Sequence, residues 1–194
     1  VFEPRLFYGQ SGYDGFADFL ASETRLPAGT YNLEILSPYF EGSGAGPLAD
    51  LIGRLQPRSV RLLEPQPEER GADAKEPFLQ AVRELGRAVR WGHLPDELLR
   101  WGRSGSQGGM HRFVHAKVYR LWSQSEGREI LVVGSINLTS AAHGRVTAGN
   151  LEAAIVFEVP GKSSTRLQFW LNESEKEPAA LHAARVRLAF ARLK

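Results

Sequence analysis

Residues 112–122 read RFVHAKVYRLW, and this stretch decides the fold. Apolar and aromatic side chains recur at every second position, which is the period of a strand, so His115, Lys117 and Tyr119 share one face while Ala116 and Val118 take the other. An imidazole and an ammonium therefore stand side by side. Downstream, Glu129–Val133 (EILVV) is an apolar, β-branched run closing on Gly134, the pattern of a buried strand that opens into a tight turn. Ser135 and Asn137 leave that strand end together. Leu138 and Thr139 then lead into Ser140-Ala141-Ala142, which reads as a short helix start whose free N–H groups and positive dipole end would cradle a phosphate.

Asn150–Val159 (NLEAAIVFEV) is apolar enough to be a strand buried on both faces, yet it carries Glu152. A carboxylate in such a place is costly unless it is paired. His115 is the natural partner, since a carboxylate on one ring nitrogen fixes the tautomer and leaves the other nitrogen free to attack or to donate a proton. Neither His-x-Lys nor a Gly-Ser turn before an Asn is specific alone, because each is common in ordinary turns and caps. Their conjunction with a carboxylate inside an apolar strand points to a site, and phosphodiester chemistry is the reading it supports.

Together, His115-Ala116-Lys117, Gly134-Ser135-Ile136-Asn137 and Asn150-Leu151-Glu152 resemble the phospholipase D superfamily, whose signature is His-x-Lys, Gly-Ser-x-Asn and a later Asn-x-Glu strand. The match covers Arg112 to Val159. More loosely, Tyr31–Phe40 (YNLEILSPYF), Val60–Pro65 (VRLLEP) and Ala88–Leu94 (AVRWGHL) resemble the strand and helix repeat that precedes the motif in bacterial members, including nucleases. The family pattern carries an Asp seven residues after the His, where this chain has Trp122; in lacking it the chain is similar to the tyrosyl-DNA phosphodiesterase branch, which points away from phospholipid. The resemblance implies a two-step, metal-independent mechanism through a phosphohistidine. In it Lys117 and Asn137 hold nonbridging oxygens, and Ser135, Thr139, Arg103 and Arg112 are candidate substrate-binding residues. No cofactor is implied. No cysteine, no His-x-x-x-His helix and no convincing carboxylate spacing offers a metal site.

That mechanism needs two imidazoles, and the chain has one copy of the motif. Of the other histidines, His93, His111, His143 and His182, none has a Lys two residues later. A symmetric dimer that places two copies of His115 across a two-fold axis is the economical solution, and a second half from a longer chain is the alternative. The chain begins with Val1, and its only Met is Met110. The expected substrate is nucleic acid, DNA before RNA. A phospholipid phosphodiesterase or transphosphatidylase and a noncatalytic nucleic-acid-binding or partner-binding half are the competing readings.

Composition sets the frame. With 194 residues, 42% of them hydrophobic and 24% charged, a single α/β domain spanning 1–194 with a substantial core is expected. A formal charge of +2 does not by itself argue for nucleic acid. Zero cysteines rule out a disulfide scaffold and fit a cytoplasmic protein; no apolar run is long enough to span a membrane. Helices are expected at Tyr13–Ser22, Leu48–Leu55 and Lys75–Leu85, and strands at Asn32–Ser37, Ser59–Leu63 and Ala88–Trp91. That alternation predicts a mixed, largely parallel central sheet with helices on both faces. Arg166–Leu171 reads as a further strand, and Pro178–Leu193 as a terminal amphipathic helix. Two loops should border the site: Arg100–Arg112, rich in Gly, Ser and Arg, and Ser37–Gly46, whose Tyr39 and Phe40 are either packing residues or a surface for a base.

Overall fold

The computed structural model describes residues 3–9, 14–64, 74–86, 89–94, 100–101, 110–111, 114–123, 125–144 and 150–160. In chain order its elements are β1 (Arg5–Tyr8), α1 (Phe16–Thr24), β2 (Asn32–Leu36), α2 (Gly46–Leu55), β3 (Ser59–Glu64), α3 (Glu76–Glu84) and β4 (Val89–His93). They continue with β5 (Arg100–Trp101), β6 (Met110–His111), β7 (Lys117–Ser123), β8 (Arg128–Gly134) and β9 (Ala153–Pro160). Seven strands form one sheet in the order β1-β9-β8-β7-β2-β3-β4, while β5 and β6 pair separately. The ends of the Arg100–Arg112 segment, expected as a loop, are therefore joined as a small ribbon, with Arg100 opposite His111 and Trp101 opposite Met110.

The helices end where local chemistry ends them. Pro47 and Pro77 sit in the first turns of α2 and α3, where a missing N–H costs nothing. At the other end, Arg25 after α1 and Gln56 after α2 adopt left-handed conformations and donate back to Ala21 and Ile52, closing the last turns. Each helix buries one stripe: Phe16, Phe19 and Leu20; Leu48, Leu51 and Leu55; Phe78, Leu79 and Val82. All three stripes enter the same core, against Leu33, Ile35, Val60, Leu62, Tyr119, Leu121, Ile130, Val132, Ala154 and Val156.

Two expectations change here. The α/β class stands, but the sheet is mixed rather than largely parallel: β2–β3 and β3–β4 are parallel, whereas β1–β9, β9–β8, β8–β7 and β7–β2 are antiparallel. Parallel neighbours need a crossover, and only the segments carrying α2 and α3 supply one within these pairs. The three described helices also lie on one face, not on both. The opposite face holds a smaller apolar cluster of Leu36, Leu63, Leu94, Val118 and Leu131.

Beside that cluster, Arg120 is buried between Glu34, at 2.9 Å, and Glu129, to which its Nε donates; Arg61 lies 3.8 Å from Glu34. Along the row Leu36, Val118, Val133, Ile155 and Leu6, exposure rises toward the β1 edge. For this reason β9 is not buried on both faces, as the Asn150–Val159 run suggested. Ala154 and Val156 face the helices, while Ile155 is 49% exposed and Leu151, before the strand, 81%. The segments 166–171 and 178–193, expected as strand and helix, lie outside the described residues. Among the described residues no helix is long and apolar enough to cross a membrane.

Candidate active site

Three neighbouring strands bring the motif together at one end of the sheet. In register, Lys117 of β7 faces Gly134 of β8, which faces Ala154 of β9. Gly134 is required there, because a Cβ on it would lie 2.2 Å from the Ala153 carbonyl oxygen and 2.6 Å from the Ala154 Cα. The glycine of the Gly-Ser-x-Asn motif thus permits the close approach of β8 to β9 that sets Ser135 against Glu152.

Lys117 is buried, and its Nζ lies 2.9 Å from both ring nitrogens of the exposed His115 and 3.2 Å from the His115 carbonyl oxygen. Burial pushes the Lys117 ammonium below its ordinary pKa, and the charge of Glu152 opposes that shift. His115 itself precedes β7, so the strand begins later than the 112–122 alternation implied, although the shared face of Lys117 and Tyr119 is as expected.

Glu152 is buried, but it does not pair with His115. Its carboxylate accepts hydrogen bonds from the Ser135 hydroxyl and, at 3.2 Å, from the Asn150 side-chain amide. The strand order explains the difference: β8 lies between β7 and β9, so Ser135 at its end meets Glu152 first. Ser135 bonds Glu152 and the Ala153 N–H, and Asn150 anchors Glu152 while its own N–H donates to Ala141 at 2.9 Å. The Gly9 N–H donates to the Glu152 carbonyl at 3.1 Å, tying the end of β1 to the same residue.

The segment after β8 is braced rather than open. Residues 140–144 form turns, not a helix start. The Ser140 N–H donates to Glu41 at 2.7 Å, and the Ala142 and His143 N–H groups donate to the Thr139 carbonyl at 3.1 and 3.0 Å. The backbone cradle expected for a phosphate is thus already filled by a carboxylate of this chain. The Thr139 hydroxyl accepts from the Ala142 N–H at 3.4 Å and so caps the turn. From the other side Ser37 accepts the Leu138 N–H at 3.1 Å and donates to the Tyr39 carbonyl at 2.7 Å, and Phe40 bridges Leu138. Asn137 stands inside this brace with its Oδ1 buried and without a hydrogen-bond partner among the described residues. The NH2 of the same amide is a donor pair of the kind that suits phosphate oxygens.

His143 is a core residue. It is buried edge-on against Phe16, its Nε2 lies 3.1 Å from the Tyr119 hydroxyl, and that hydroxyl donates to the Ile136 carbonyl at 3.1 Å. It therefore holds the turn from inside the core. The Ser37–Gly46 loop was expected to border the site, but the parts played by Ser37 and Glu41 were not legible, since both act through backbone groups about a hundred residues away. Arg103 and Arg112, expected to pair with phosphates, lie outside the described residues. Trp122 sits toward the other end of β7, opposite Asn32 and Glu129, with the Arg120 guanidinium 5.2 Å from its ring centroid. It is thus remote from Lys117 along the strand.

No protein-family model and no curated protein matches the chain. Among solved structures it is similar to yeast tyrosyl-DNA phosphodiesterase, with 11% identity and a TM-score of 0.46 over 79% of this chain. The chain spans 45% of that one. A likeness at this level does not choose among the activities one sheet architecture can carry.

Proposed function

We propose that this chain is one catalytic half of a metal-independent phosphodiesterase that cleaves DNA or RNA through a phosphohistidine. The observation that carries the reading is the Lys117 ammonium, buried and 2.9 Å from the ring nitrogens of an exposed His115. An ammonium has donors only, so of the two ring nitrogens beside it the one that accepts presents a lone pair, which is the form a nucleophile needs. When a phosphodiester arrives, the ammonium turns to its nonbridging oxygens and the lone pair is released. In a partly dry site that charge stabilises the transition state more than it would in water. Asn137 adds a donor, and Ser135 with Glu152 fixes the ends of β8 and β9 beside it.

The His115 nitrogen attacks phosphorus, the bond to the leaving oxygen breaks, and a second imidazolium gives that oxygen its proton. The same imidazole then takes a proton from water, the water oxygen attacks phosphorus, and the P–N bond breaks to regenerate His115. The second imidazole belongs to another copy of the motif, in a dimer mate or a second half of the same protein. The half-exposed apolar row Val133, Ile155 and Leu6 adjoins Gly134 and offers a surface for a second copy.

The p-nitrophenyl diester of thymidine monophosphate tests the reading in excess EDTA. Turnover is expected from the intact chain, no turnover from His115→Ala, and a kcat lower by roughly a hundredfold or more from Lys117→Met, the usual cost of losing one oxyanion donor. Acid quenching should trap a labile phosphoenzyme in the intact chain alone. Unchanged turnover by His115→Ala overturns the assignment.

A further inference from the structure

Tyr39 is 40% exposed in the loop after β2, and its ring stands edge-on to the His115 ring, with centroids 5.7 Å apart and planes at 70°. An exposed aromatic is unremarkable on most surfaces; this one is held in place. Its carbonyl accepts the Ser37 hydroxyl at 2.7 Å, while the same oxygen of Ser37 accepts the Leu138 N–H. The next residue, Phe40, is buried against Phe78 and Trp91, with centroids 5.2 and 5.7 Å away. Glu41 then closes the loop on Ser140. The chain on both sides of Tyr39 is therefore pinned to the core and to the Asn137 segment, and the ring pays little further ordering entropy on meeting a ligand.

We infer that Tyr39 is a stacking platform for the nucleobase next to the scissile phosphate, and so a specificity-determining residue for nucleotidyl over simple alkyl phosphodiesters. This deepens the phosphodiesterase reading and rests on it for the position of the phosphate. With phosphorus in contact with a His115 nitrogen, the group esterified to it lies within reach of a ring 5.7 Å from the imidazole. A nucleobase presents a flat π-face to such a ring, whereas a methyl group or a saturated chain does not. Stacking of this kind tolerates any base, so it discriminates nucleotide from non-nucleotide without reading sequence.

Two p-nitrophenyl diesters sharing a leaving group, one of thymidine monophosphate and one of methyl phosphate, separate the platform from other roles. Tyr39→Ala is expected to raise KM for the thymidine ester by about tenfold, with kcat nearly unchanged and the methyl ester unaffected. Tyr39→Trp should restore the thymidine KM. An equal loss on both esters, or a fall in kcat alone, would mean that Tyr39 positions His115 and would overturn the proposal, as would no change on either. Calorimetric binding of thymidine monophosphate against inorganic phosphate gives a readout without catalysis: Tyr39→Ala should weaken the first about tenfold and leave the second alone. If the intact chain turns over neither ester yet shows this binding pattern, the platform stands and the phosphodiesterase reading fails. Equal weakening of both ligands overturns the platform.

Discussion

Glu41 illustrates how a single carboxylate can stabilise a candidate site without entering its chemistry. The side-chain and backbone hydrogen bonds of Ser140, with further backbone bonds from Gly42 and Ser43, hold its carboxyl below the ordinary value despite partial burial. A folded-state pKa below the unfolded one contributes stability that is fully present above the unfolded value of 4.5, and is lost as pH falls through the lowered folded value. Melting temperatures of the intact chain and of Glu41→Gln should therefore differ at neutral pH and converge below about pH 4.5, whereas a gap constant with pH would show that Glu41 acts by shape alone. At this scale, legibility depended on the reach of each interaction. His115 and Lys117 were readable because their neighbourhood is set by two residues of local spacing. The partner of Glu152 was not, because strand order placed Ser135 between it and His115.

The elements were readable where a periodic apolar stripe has clear punctuation. The helices α1, α2 and α3 and the strands β2, β3, β4 and β8 fall within a few residues of the positions the pattern predicts. β1 went unrecognised: RLFY is four residues with apolar side chains on both faces, and it becomes a strand by pairing with β9, far away in sequence. Burial of Arg120 was equally hidden, since a strand pattern cannot show that Glu34 and Glu129 flank it on the neighbouring strands. That cluster ties β2, β7 and β8 together away from the helices. Removing its cation leaves Glu129 buried without its ion-pair partner and Glu34 with only Arg61 at 3.8 Å, so Arg120→Ala should lower stability by about 3–5 kcal/mol in urea denaturation. A loss below about 1 kcal/mol would mean that water already solvates those carboxylates.

For the whole molecule, the proposed mechanism makes a second imidazole the missing component, and the apolar row Val133, Ile155 and Leu6, on the sheet face away from the helices, is the surface proposed for a second copy. Ile155→Lys places an ammonium in the middle of that row, where water accepts it in the monomer but an apolar interface does not. Light scattering should then show a dimer for the intact chain and a monomer for the variant, with phosphodiester turnover lost together with the dimer. A monomer that turns over substrate would contradict the composite site. By itself the sequence determined the α/β class and most elements, and it put forward His115, Lys117, Asn137 and Glu152 as candidate site residues, because strand and helix periods and the motif spacing are local properties. Only the tertiary structure decided the mixed sheet, the Ser135–Glu152–Asn150 anchor, the carboxylate in the expected phosphate cradle and the burial of His143. Each depends on which distant strand or loop lies alongside, and the relevant energies, close backbone approach and the cost of unpaired buried groups, arise only when those segments meet.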